Sequence, residues 1–107
     1  MTIGNFIIKH HGEHMNQKTF SAIFYSDPGH GWAKVKRSVL QNLGIEEKIS
    51  EYSYQNGDNV FLEEDCDLYV LHERLKQDNV TMRLVPKSSD KESRIRSYSR
   101  FKPQEAV

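Results

Sequence analysis

The sequence predicts an α+β fold: one small domain with a mostly antiparallel sheet, two helices on one of its faces, the order β-β-α-β-β-α-β, and a polar C-terminal tail. Three observations lead there. Short runs rich in β-branched and aromatic residues alternate with a period of two. Two segments carry apolar residues at helical spacing instead. A length of 107 residues fills one core and leaves two independent cores too small. The expected organisation is an N-terminal extension over 1–18, an α+β core over 19–86 and a basic, aromatic tail over 87–107.

Each element has its own justification. The extension shows little periodicity, although Ile3, Phe6, Ile7 and Ile8 are apolar enough to dock as a short element and Met15 is a candidate internal start. Thr19–Tyr25 reads as a central strand, because Phe20, Ala22 and Phe24 line one side while Ile23 and Tyr25 make the other side partly apolar. The stretch Tyr25-Ser26-Asp27-Pro28-Gly29-His30-Gly31-Trp32 turns the chain into a second strand over Trp32–Lys36. Pro28, Gly29 and Gly31 are expected to permit a tight backbone path there. Ser38 is the expected N-cap of a helix through Leu43, with Val39, Leu40 and Leu43 as its apolar face and Gly44 as its stop.

Further on, Lys48–Tyr54 and Asn59–Glu63 read as paired strands around Asn56-Gly57, a hairpin signal because both residues tolerate positive φ. Asp65 or Asp67 is the expected cap of a helix from about Cys66 to Gln77. Its Leu68, Leu71, His72 and Leu75 recur at i, i+3, i+4 and i+7, the spacing of a buried stripe. Val80–Val85 alternates as a last strand, closed by Pro86. The tail from Lys87 lacks a core pattern but holds Ile95, Tyr98 and Phe101.

Composition excludes several classes. Fifteen basic residues balance fifteen acidic ones, which speaks against a strongly basic nucleic-acid binder and against an acidic nucleic-acid mimic as descriptions of the whole molecule. No apolar run approaches the roughly 18 residues that span a bilayer, and the first residues are too mixed for a signal peptide. One cysteine allows no internal disulfide and no cysteine zinc site. The charge is nevertheless uneven: between Ile45 and Leu68 eight acids face Lys48 alone, whereas Lys87–Lys102 is basic.

Candidate chemistry follows from these patterns. Asp27 and His30 stand three residues apart across a turn, close enough for a carboxyl group to orient an imidazole, and Trp32 is adjacent. Ser26 or Cys66 would have to supply a nucleophile, and nothing in the sequence puts Cys66 near His30. A cap at Asp27, a hydrogen-bonded turn at His30 and a core position at Trp32 is the simpler reading. Glu63, Glu64, Asp65 and Asp67 are the densest acidic cluster but lack calcium-loop spacing. His10 and His14 have the i, i+4 spacing of metal pairs, with no second ligand pattern to complete a site. Arg94, Arg96, Tyr98 and Arg100 interleave cations with aromatics, a pattern suited to phosphates and bases or to folding back on the acidic hairpin. The expectation is a protein without cofactor, metal or membrane span and not an enzyme, with a binding surface over Asp27, His30, Trp32, Tyr54, Arg94, Arg96 and Tyr98.

The strings SDPGHGW (26–32), NLGIEEKIS (42–50), YSYQNG (52–57), VFLEEDCD (60–67) and SRIRSYSRF (93–101) resemble a family of short, functionally uncharacterised proteins of bacteriophages and other mobile elements. The resemblance covers roughly residues 20 to 101 and implies a phage accessory protein in the cytoplasm of a bacterial host. It implies no biochemical activity. Together with the charge pattern it leads to the expectation of a protein that engages a host protein, with inhibition of a defence or regulatory system as one role such binding would serve. The alternatives are a small nucleic-acid-binding protein using the Arg/aromatic tail, and a small hydrolase or transferase centred on His30.

Overall fold

Alternation along the strands sorts the side chains into two apolar layers, one on each side of a single sheet. The structure, a computed structural model, describes residues 18–104. The expected extension with its histidines lies outside the described residues except for Lys18, as do residues 105–107. The strands are β1 (Lys18–Ser26), β2 (Gly31–Lys36), β3 (Tyr54–Asn56), β4 (Asn59–Glu63), β5 (Val80–Ser88) and β6 (Ser99–Arg100), and the helices are α1 (Arg37–Asn42) and α2 (Asp67–Gln77). The sheet order is β5-β1-β2-β4-β3-β6. Only β1 and β5 run parallel; the other neighbours are antiparallel. The predicted α+β architecture is therefore present, as a mixed sheet with a sixth strand contributed by the tail.

The main core lies between the sheet and the two helices. Ala22, Ala33, Val35, Val60, Leu62 and Val80 point from the strands toward Leu40 of α1 and Leu68, Leu71 and Leu75 of α2. The opposite face carries a smaller aromatic cluster: Trp32, Phe61 and Ile95 are buried and Tyr25, Tyr54 and Tyr98 pack against them. Ile95 and Tyr98 belong to the tail, which crosses this second face through a 3-10 turn at Arg94–Ser97. It then pairs with β3, and Phe101, 2% exposed, enters the main core. The segment without a core pattern is thus integral to both layers.

Several local expectations are corrected. The segment predicted as a strand over Lys48–Tyr54 enters the ladder only at Tyr54, after a 3-10 turn at Glu46–Lys48. Asp67, at the start of α2, captures that stretch. Its carboxyl oxygens accept from the Ser50 N–H, the Ser50 hydroxyl and the Ser53 hydroxyl, so Ser50 spends its backbone donor on a side chain instead of a neighbouring strand. The hairpin turn is Gly57-Asp58, one residue later than Asn56-Gly57, with Asn56 paired to Asn59 and Gly57 at φ +62°.

The caps also differ. Lys36, not Ser38, occupies the N-cap position of α1, and no side chain caps it. Neither Asp65 nor Asp67 caps α2: the Glu63 carboxyl group, reaching forward from the end of β4, accepts from the N–H groups of Asp65, Cys66 and Asp67. The stop of α1 is as expected. Gly44 adopts φ +71°, and the Ile45 and Gly44 N–H groups return to the carbonyls of Leu40 and Gln41, a Schellman closure.

Candidate binding cleft

The turn between β1 and β2 is built by one side chain. Asp27 Oδ1 accepts from the Gly29 and His30 N–H groups at 2.9 and 3.0 Å, and the Asp27 N–H donates to the His30 carbonyl. Gly29 and Gly31 do not supply the left-handed backbone that such a turn suggests, since among the described glycines only Gly44 and Gly57 have positive φ. They supply space. A Cβ on Gly31 would meet the Phe24 ring at 2.3 Å, and one on Gly29 would meet Arg96 Nη2 at 2.8 Å.

The same carboxylate ties the tail to the turn. Asp27 Oδ2 accepts from the Ser93 N–H and from Arg96 Nε at 2.7 Å, and Oδ1 accepts from Arg96 Nη2 at 2.9 Å. The Arg96 hydrogen bond, reinforced by the N–H groups of Ser93, His30 and Gly29, holds the Asp27 carboxyl well below the usual carboxylate range despite its burial. Arg96 is in turn held more firmly in its charged form, with Asp27 as the main cause. Its guanidinium carbon lies 5.3 Å from the centre of the Trp32 ring, a cation–π stack.

Beside this stack opens a cleft of about 380 Å³. Trp32 and Tyr54 meet edge to face at 6.1 Å, and Arg100 lies over Tyr54 at 4.8 Å. His30 approaches the Trp32 ring at 6.2 Å and places Nδ1 3.9 Å from a Glu64 oxygen. Tyr52, 64% exposed, and the strand-to-helix segment at Glu63, Asp65 and Cys66 complete the lining.

Of the residues singled out from sequence, His30, Trp32, Tyr54 and Arg96 are brought together here. Asp27 lies behind them as the clamp. Arg94 is exposed on the 3-10 turn, and Tyr98 packs against Phe61 at 5.2 Å in the aromatic layer; neither lines the cleft. Tyr52, Glu63, Asp65, Cys66 and Arg100 do line it without having been placed there. The alternation of cations and aromatics in SRIRSYSRF is a signal for Arg100, whereas Tyr52 was read as part of a strand.

The structure also brings His30 and Cys66 to one cleft, which their spacing gave no reason to expect. The surroundings work against thiolate chemistry. The negative charge of Glu63, helped by burial and by Asp67 and Asp65, pushes the Cys66 thiol up and keeps it protonated. Among the described residues no group of three or more His, Cys, Asp or Glu side chains is arranged to hold a metal ion. What the cleft offers is an aromatic floor, two arginines and an acidic rim.

A second network, centred on Arg37, fixes the end of the described chain. Arg37 donates to Glu46 Oε2, to the Lys102 carbonyl and to Gln55 Oε1, and stacks over Phe101 at 4.9 Å. Burial pushes the Glu46 carboxyl up, but the Gln104 N–H and the Arg37 guanidinium outweigh it and leave the group below its ordinary value. No helix is long and apolar enough to cross a membrane among the described residues. No protein-family model matches the chain, and no curated protein or solved structure does either.

Proposed function

We propose that the protein is a non-enzymatic binding module, a phage accessory factor that engages a protein of its bacterial host through the Trp32–Tyr54–Arg96–Arg100 cleft. The phage and host parts of this reading are supported by the resemblance of the SDPGHGW and SRIRSYSRF segments. The observation that carries the binding part is the composition and fixation of the cleft. Trp, Tyr and Arg are the side chains that dominate binding energy at protein interfaces. Here Arg96 is held in place by Asp27, so less of its conformational entropy is lost when a partner seats. The raised Cys66 thiol favours binding over nucleophilic catalysis at the same place.

The test is affinity capture from a nuclease-treated bacterial lysate with the tagged full chain, alongside Tyr52→Ala and Arg100→Ala. Both side chains are exposed, so their removal leaves the core intact. A host protein retained by the parent chain and by an Arg94→Ala control, but lost with both cleft variants, is the expected result. Retention by all variants, or no specific protein at all, would remove the reading.

A further inference from the structure

The two sides of the sheet differ in charge as well as in packing. β1, β2 and β5 contain no Asp or Glu, and Lys34, Lys36, Arg83 and Lys87 all alternate onto the side away from the helices. The register sets them around an apolar centre. Ile23 of β1 stands between Lys34 of β2 and Val85 of β5, and in the next row Tyr25 stands between Trp32 and Lys87. Arg83 flanks Ser21 on the other side. Ile23 and Val85 are 36% and 38% exposed, so the tail covers only the neighbouring part of this face.

None of these four cations makes a salt bridge among the described residues; Lys87 lies over the Tyr25 ring at 5.9 Å. The acid of the next strand, Glu63, is engaged in capping α2. A protein of zero formal net charge therefore presents a locally cationic sheet surface.

We propose that this face, centred on Ile23 and Val85 and ringed by Lys34, Lys36, Arg83 and Lys87, binds single-stranded nucleic acid. Charge complementarity to a phosphate chain is the first argument. The second is that half-buried Tyr25 and Tyr98, side chains of the type that stack on unpaired bases, flank Phe61 on the same side. A duplex is disfavoured because the surface is an open sheet from which, among the described residues, no helix or ribbon projects to enter a groove. A bilayer is disfavoured because the exposed apolar centre consists of two short aliphatic side chains. The site is distinct from the cleft and does not depend on the reading proposed for it.

The experiment is fluorescence anisotropy of labelled 20-mers of dT and rU titrated with the full chain across salt, with dextran sulfate and phosphatidylserine vesicles as comparison ligands. Four phosphate contacts give a slope of about −2.8 in log affinity against log salt, which is about a fiftyfold loss for a fourfold rise in salt. Arg83→Gln with Lys87→Gln, and separately Lys34→Gln with Lys36→Gln, should each halve that slope, to about −1.4. Lys76→Gln, on the exposed side of α2 and remote from this face, should leave it unchanged. Thermal melts confirm that the variants fold, and since the two pairs lie on different strands, failure of one to fold leaves the other to decide. The proposal is overturned by no oligonucleotide binding, by equal affinity for dextran sulfate, by binding to vesicles alone, or by slopes indifferent to both cation pairs.

Discussion

Asp27 and Arg96 are 69 residues apart in sequence and joined by two hydrogen bonds, with the Asp27 side chain 1% exposed and the Arg96 side chain 29% exposed. The pair connects the first turn of the sheet to the segment that crosses its aromatic face. It also positions the guanidinium that stacks on Trp32. Turn, tail and cleft thus share a single carboxylate.

Loss of either partner is expected to destabilise the protein, and the two losses are expected not to add. Asp27→Ala strands the N–H groups of Gly29, His30 and Ser93 as well as Arg96, so it should lower the urea midpoint more than Arg96→Ala does. The double variant should resemble Asp27→Ala alone, because Arg96 has lost its partner already. Additive effects in a double-mutant cycle would show that the pair is not coupled.

Acid should undo the same device. Asp27 and Glu46 are both held below their ordinary values in the folded state, so the unfolded chain binds more protons as pH falls. Their stabilising contribution is therefore complete only above about pH 5, where the unfolded carboxyls are largely ionised, and is lost progressively as the pH falls below it. Stability measured by urea melts from neutral pH downward should begin to fall below about pH 5. Asp27→Asn, less stable at neutral pH, should show a shallower decline; an unchanged acid slope would exclude Asp27 as its source.

Glu63 has two separable effects. As the cap of α2 its replacement by Ala should cost about 1 kcal/mol. As the main cause of the raised Cys66 thiol, its neutralisation in Glu63→Gln should speed alkylation of Cys66 by iodoacetamide at mildly alkaline pH. A faster reaction with little change in melting temperature is the expected signature of the charge effect. An alkylation rate equal to that of the parent chain would assign the thiol's behaviour to burial instead.

Phe101 tests whether the tail belongs to the core. It is 2% exposed, packs among residues of both helices' layer and carries Arg37 on its ring. Phe101→Ala should cost about 3–5 kcal/mol, a large share of a small domain's stability. A chain ending at Ser97 should lose cooperative unfolding altogether, as read by circular dichroism during a urea titration.

Periodicity made most of the fold legible. Period two in Thr19–Tyr25 and Val80–Val85 and the Leu68–Leu71–Leu75 stripe report direct burial, and they placed β1, β5 and α2 within a few residues. What periodicity could not show was competition for backbone donors. Asp67 and Glu63 look alike as acids near a helix start. Asp67 turns inward to Ser50 and Ser53 while Glu63 caps, and only the approach of distant segments decides between those roles. The site was legible in part because SDPGHGW is contiguous. Arg100 and Cys66 reach it through strand pairing and a helix start that lie far along the chain, and Gly31 acts through the ring of Phe24, which no turn rule anticipates.

The parallel pairing of β1 with β5 sets Lys18 against Val80 and Ser26 against Ser88, so the sheet's second strand in space meets its neighbour only after most of the chain has been made. During synthesis, Phe20, Ala22 and Phe24 must therefore wait for strand partners that emerge about sixty residues later. Such non-local closure slows folding. It also gives the cell a simple proofreading rule: a chain interrupted before its final segment has neither a finished sheet nor a fixed Arg96, and presents an exposed apolar strand to chaperones and proteases instead of a working surface.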